Sequence, residues 1–324
     1  MASLVTLRPP GQARLAARRL VTGLPLILIV SLLSFVLVSL TPGDAARDIL
    51  GSQATEESYR DLRELLGLDL PLHEQYGRWV WAALSGDLGT SLFTGVPVAE
   101  SIASRLPVTL SLMLGALLVS LLVGAGLGVL SAARGGAVGR AVDAFALVGF
   151  ALPSFWVAGL LIVVFAVQLR WLPATGYVPL GESPGEWLRA LVLPVLALSL
   201  GGVASVAKQT REAMLDALSS EYIRMARANG VSWTSLVLRH AFKNASIRVV
   251  TVLGVQAVNL LGGAVVIESV FALPGIGSLA VQATARHDLP VIQGIVVYVT
   301  VLVVAMNLVI DIAYSWLNPK VKVR

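Results

Sequence analysis

The 324-residue chain contains no cysteine, which removes disulfides, thiolate nucleophiles, thiolate-held zinc and iron–sulfur clusters from consideration. Histidine is nearly as scarce. His73, His240 and His287 are scattered, without the His-x-x-x-His or Glu-x-x-His spacing that sets two ligands on one helix face. Charge is short as well: 13% of residues are Asp, Glu, Lys or Arg, against 56% apolar. A soluble domain carries about 25% charged residues, and a soluble chain of this length normally forms two domains, each with a charged coat. Lysine occurs only at Lys208, Lys243, Lys320 and Lys322, never after glycine, so no P-loop is present. The net charge of +5 is read as the basic bias of membrane loops, with no nucleic-acid partner expected.

What the chain has in abundance is long apolar runs. Six reach the length of about 20 residues that a helical crossing needs: 20–40, 106–132, 141–169, 188–207, 249–267 and 289–317. The third and sixth exceed one bilayer thickness and are expected to tilt or project. The first, preceded by Arg14, Arg18 and Arg19 and followed by Ala45-Ala46, is too long for a cleaved signal and reads as a true span. With six spans and residues 1–19 in the cytoplasm, sixteen Lys/Arg fall inside and eight outside, so residues 318–324 are cytoplasmic too. The first outside region, 41–105, holds ten Asp/Glu.

Two extramembrane regions are long enough to fold. Within 41–105, Glu56–Leu66 reads as a helix, with acids in its first turn, an apolar stripe of Tyr59, Leu62, Leu65 and Leu66, and Gly67 as its stop. After Pro71, the rings of Tyr76, Trp79 and Trp81 suggest a segment lying on the membrane surface. On the inside, 208–248 carries seven Lys/Arg. There Ser220 is placed to cap a helix opened by Glu221, and Gly230 to end it in a left-handed turn. Ser232 is placed to cap a second helix with Trp233, Leu236, Val237, His240 and Ala241 on one apolar face. Two short helices separated by a glycine form a compact docking surface.

Polar groups inside spans are candidates for function because the bilayer penalises them. They are Asp143, Gln168, Gln256, Asn259, Gln293, Asn307 and Asp311. Asp143 and Asp311 lie near enough to an interface to be solvated or paired with Arg. Gln256 and Asn259 suit either helix–helix hydrogen bonding or pathway lining, and Glu268 either a gate or a solvated helix end. No convincing midplane acid and no inverted repeat supports a proton-coupled transporter. No His/Glu or Ser/Lys constellation supports an intramembrane enzyme. Gly124 and Gly128 have the spacing that lets helices approach closely, while Pro153 and Pro194 are expected to break or kink the third and fourth spans.

A series of fragments in order resembles the membrane subunits of the dipeptide/oligopeptide/nickel importers of the ATP-binding-cassette superfamily. They include Thr41-Pro-Gly-Asp44, Leu66-Gly-Leu-Asp-Leu-Pro71, Gly86-Asp-Leu-Gly89, Arg105-Leu-Pro-Val-Thr109, Pro153-Ser-Phe-Trp156, Leu172-Pro-Ala-Thr-Gly176, Glu268-Ser-Val-Phe271, Pro274-Gly-Ile-Gly277, Asn307-Leu-Val-Ile-Asp311 and Leu317-Asn-Pro319. The resemblance covers nearly the whole chain, and the region before span two resembles the first of the family's two permease subunits. It implies an all-α, six-span, type I importer permease with an extracytoplasmic insertion between spans one and two, in a prokaryotic cell membrane. Implied partners are a second homologous permease, two ATP-binding subunits that hold ATP and Mg, an extracytoplasmic substrate-binding protein and membrane lipid. The chain itself holds no cofactor, metal or catalytic group.

The resemblance also implies a substrate of di- or oligopeptides, with nickel, glutathione or another small solute as alternatives. In the wider superfamily a Glu-Ala-Ala-x-x-x-Gly pattern marks a coupling helix that enters a groove of the ATPase. Here it falls on Arg224, Met225, Ala226 and Gly230, so the second Ala and the Gly match. Glu221, Tyr222, Arg224, Ala226, Arg227 and Gly230 are the implied coupling residues. Gln256, Asn259 and Glu268 are the candidates for pathway lining. Similar proteins usually carry Asn-Ala-x-x-Pro before span five; this chain has Asn244-Ala-Ser-Ile-Arg248, which puts a local bend there in question.

Overall fold

The structure, a computed structural model, describes residues 12–40, 43–51 and 55–317. Readings that fall on Arg8, Thr41-Pro42 and 318–324 lie outside them. Regular structure among the described residues is helical apart from one isolated bridge between Thr90 and Pro97. The helices are α1 (Gln12–Leu40), α2 (Ala45–Leu50), α3 (Glu56–Leu65), α4 (Leu72–Leu84), α5 (Val98–Arg134), α6 (Gly136–Ala151), α7 (Ser154–Gln168), α8 (Pro184–Leu218), α9 (Glu221–Ala228), α10 (Trp233–Val270), α11 (Ile276–Ala285) and α12 (Leu289–Leu317). Of these, α1, α5, α8, α10 and α12 are each long and apolar enough to cross a bilayer.

The third span of the sequence is a broken pair, α6 and α7, bent by 100°. The cause is local. Proline restricts the residue before it to extended backbone, and Leu152 leaves the helix at ψ 120° to meet Pro153 at φ −64°. Pro194 acts otherwise: it is buried inside α8, which continues through it. The expected break in span four is therefore absent.

Two compact units divide the described residues: those within 12–17, 110–273 and 305–317 form the larger, and those within 18–109 and 274–304 the smaller. In the larger, α8 is the central helix, with residues from Ala190 to Ala217 buried along its length. Gly124 and Gly128 of α5 face it. A Cβ on Gly124 would lie 2.8 Å from Val206 Cβ, and one on Gly128 2.6 Å from the Ala207 carbonyl oxygen. Both glycines thus let two helix backbones meet, as their spacing suggests. A π-helical turn, Ser120–Gly124, interrupts α5 just above this contact, and a second, Leu236–Ala241, lies near the start of α10.

In the smaller unit the insertion is ordered by polar caps. Asp44 accepts from Ala46 N at 2.9 Å to cap α2, and from the Tyr59 hydroxyl at 2.9 Å. The Arg63 guanidinium binds Asp69 and Asp44. Its hydrogen bonds to Asp69 and Tyr59, with the Asp44 charge, raise its pKa further above the ordinary arginine value. Thr55 caps α3, which stops at Gly67 with φ +67°. α4 turns Tyr76 onto α1, where its hydroxyl lies 2.8 Å from Ser31 Oγ and its ring 5.4 Å from Phe35. Only Trp81 of the aromatic trio stands fully outward. The unit's apolar core joins Val98 and Ile102 of α5 to Ile276 and Leu279 of α11 and Ile292 and Ile295 of α12. Buried Asp288 tethers the loop before α5, accepting from Ser91 Oγ at 2.6 Å and Leu92 N at 3.2 Å.

Candidate functional site

Of the region 208–248, only a short stretch lies outside long helices. α8 runs on to Leu218, and α10 begins at Trp233, so the stretch outside long helices is 219–232, with α9 at its centre. The polar residues Lys208, Gln209, Arg211 and Glu212 end the apolar run without ending the helix. Arg211 reaches across to α6, where it pairs with Asp143 at 3.4 Å. The expected second short helix is the first turns of α10, so the pair of separate helices becomes one short helix leaning on two long ones.

α9 is held by its own ends and one face. Ser220 sits at its start, but its hydroxyl donates back to the Ala217 carbonyl at 2.5 Å and does not cap α9. Ser232 likewise makes no side-chain cap. The other end closes as expected: Gly230 lies at φ +82°, Gly230 N donates to Arg227 O at 3.0 Å, and Val231 N to Ala226 O at 3.1 Å. These are the two bonds of a Schellman turn. Ile223 is buried, and Ala226 packs partly against the same cluster of Met214, Ala217, Leu236, Val237 and Ala241. The small size of Ala226 is thus used at least partly against the chain's own core.

The opposite face is open. Glu221, Tyr222, Arg224 and Arg227 are exposed, and so is Met225, at 69%. Tyr222 and Met225 are three residues apart, so they share one side of the helix. Met225 was not among the coupling candidates. Its signal in the sequence was its place between Arg224 and Ala226, two residues and about 200° round the helix from the buried Ile223. The rim of this face is braced: Asn244 Nδ2 donates to the Tyr222 hydroxyl, Arg248 pairs with Asp216 at 3.3 Å, and the Arg227 guanidinium lies 5.7 Å from the Trp233 ring centroid. Arg248 stands inside the α-helical run Phe242–Val270, so no helix break falls at that position. A cavity of about 700 Å³ opens beside the brace, lined by Gln209, Asp216, Tyr222, Asn244, Arg248 and Thr251.

From that cavity an exposed stripe runs up α10: Arg248, Thr251, Val255, Asn259, Gly262 and Val266, three or four residues apart. Exposed positions midway along two other core spans are apolar, as at Leu114, Leu118 and Leu122 of α5 and Val301 and Val309 of α12. Asn259 faces out on this stripe and donates to Gln256 Oε1 at 3.4 Å, while the Gln256 amide lies over Gly202 of α8. Of the pair, Asn259 is the outward group. Glu268 is fully buried, so it is neither a solvated helix end nor a residue on an open face of this chain.

The profile of binding-protein-dependent transport system inner membrane components matches residues 124–323, and the N-terminal profile of the same systems matches residues 13–113. A peptide transport system permease protein of Brucella abortus (strain 2308) is 44% identical over 309 residues, spanning 95% of this chain and 98% of its own. A glutathione transport system permease protein of Salmonella paratyphi A is 39% identical over 306 residues, spanning 94% and 97%. Among solved structures, an inward-facing MetNI methionine ABC transporter chain superposes with a TM-score of 0.57 at 18% identity, covering 68% of this chain and 97% of that one. At that identity the likeness concerns the fold, a type I importer permease.

Proposed function

The chain belongs to the family of binding-protein-dependent transport system inner membrane components, and on that footing we propose that it forms half of the membrane pathway of an ATP-driven peptide importer. A second homologous permease completes the pathway, and two ATPase subunits holding ATP and Mg drive it. An extracytoplasmic binding protein delivers substrate to the insertion side. The Lys/Arg distribution supports placing both termini and α9 in the cytoplasm. The peptide reading is favoured over the glutathione-limited one by the higher identity to the Brucella peptide permease.

The observation that carries this reading is an exposed apolar face, Tyr222 and Met225, on a rigidly capped helix of a chain without a nucleotide motif. Such a face supplies an anchor for a groove in a partner. Closure of the ATPases moves α9, and the buried Ile223 and Leu236 pass that displacement to α8 and α10 as a rigid-body shift. Substrate passes along the polar stripe of α10. The stripe offers the amide of Asn259 and no charge between Arg248 and Val266, suiting peptides whose side chains differ.

Two measurements test this. Met225→Cys is expected to cross-link to the ATPase in the assembled importer; no cross-link under conditions that retain the complex refutes the docking role. The cysteine-free background also permits single Cys substitutions at Thr251, Val255 and Asn259, with Leu114 and Leu118 as controls. A water-soluble maleimide should label the first set and spare the second. Equal labelling removes the lining assignment.

A further inference from the structure

We propose that the groove between the last turns of α5 and the start of α10 is a binding site for an anionic phospholipid, one acyl chain lying in the groove and the phosphate at Arg134. The groove holds about 880 Å³ and is walled by Leu121, Leu122, Val129 and Leu130 on one side and by Val237 and Leu238 on the other. Its floor is open at Gly126, where a Cβ meets nothing within 4 Å. Both walls include π-helical turns, which widen a helix locally and often accompany binding sites.

The choice of occupant rests on charge and position. Arg134 is exposed at the groove's end and forms no ion pair among the described residues. Trp233, also lining the end, carries the exposed guanidinium of Arg227 over its ring. Two cations and an indole at the end of an apolar groove, at the boundary of a membrane span, match a phosphate headgroup above an acyl chain. The assignment to the cytoplasmic leaflet rests on the orientation proposed above. It also gives the lipid a route to transport, because Arg227 belongs to α9: a headgroup here touches the helix that meets the ATPase.

The test uses the assembled importer in nanodiscs containing either chain-brominated phosphatidylglycerol or chain-brominated phosphatidylcholine over a matched series of mole fractions. The Trp233 emission is obtained as the difference between the unaltered protein and Trp233→Phe. Each arginine near a headgroup is worth roughly a fivefold preference for an anionic lipid. With two arginines at the headgroup, Trp233 is therefore expected to be quenched by brominated phosphatidylglycerol at roughly 25-fold lower mole fraction than by brominated phosphatidylcholine. Arg134→Gln should reduce that preference about fivefold, and Gly126→Leu, whose Cβ enters open space, should reduce quenching by both lipids. Equal quenching by the two lipids means bulk contact only and overturns the site. No quenching by either means that protein covers the groove and overturns it too. Peptide uptake and ATPase co-purification are read on the same preparations, so equal quenching of the unaltered protein by the two lipids, with uptake intact, refutes this site alone.

Discussion

Replacing Gly230 separates two reasons for a glycine at the end of α9. If the residue is needed for space, any side chain is harmful in proportion to its size. If it is needed for the turn, the harm follows backbone preference. The surroundings decide for the second: a Cβ at Gly230 meets nothing within 4 Å, while φ is +82°. An L-residue with a Cβ loses roughly 1–2 kcal/mol in the left-handed region, a factor of about 5–30 in the balance between closed and frayed turns. Fraying releases two hydrogen bonds, from Gly230 N and Val231 N, and frees Val231 from the cluster beneath α9. Asn tolerates this region better than Ala, and β-branched Val worse. The expected order of peptide uptake and ATPase co-purification is therefore Gly, then Asn, then Ala, then Val, although Asn is larger than Ala. A ranking by size, with Ala above Asn, refutes the argument. So does a Val variant that transports as well as the unaltered chain.

Met225→Asp places a charge on the exposed face of α9 and is expected to weaken ATPase binding by about tenfold or more, equivalent to roughly 1.4 kcal/mol, while the isolated permease keeps its thermal unfolding temperature. Asp288→Ala strands the Ser91 hydroxyl and the Leu92 amide in a buried site; the expected loss is about 1.5–3 kcal/mol, read as a lower unfolding midpoint in detergent, with Asp288→Asn milder. Gly128→Val forces α5 off the backbone of α8 and should destabilise by about 1–3 kcal/mol or more. Gly126→Val, one turn position away and facing open space, should not, and equal melting of the two variants contradicts the close-approach argument.

The crossings were legible because hydropathy reports burial in lipid, and the break at Pro153 because proline acts on its immediate neighbour. Boundaries were less so. Lys208 to Glu212 are polar, yet the backbone of α8 finds its own hydrogen bonds there and the helix persists to Leu218. Cap assignments at Ser220 and Ser232 followed residue preference, but a serine hydroxyl has several carbonyls in reach, and Ser220 bonds the turn behind it. At Gly230 no such competition exists, and sequence and structure agree. Burial of individual polar groups was the hardest to read: Glu268 and Asn259 look alike as isolated polar residues near apolar ones, and only helix phase turns one inward and the other out. Met225 was passed over for the same reason.

The unbroken length of α10 has a mechanical meaning. Its 38 residues make a rod of about 57 Å, with the brace to α9 near one end and the far side of the membrane at the other. With Arg248 inside a continuous α-helical run, the rod has no break along the stripe. A tilt of about 5° at the ATPase end sweeps the opposite tip through about 5 Å, so a small input serves as a lever without any bending inside the membrane. In the proposed importer the widened turn at Leu236–Ala241 lies before the stripe, so yielding there would change the stroke of the lever and leave the proposed pathway face unaltered.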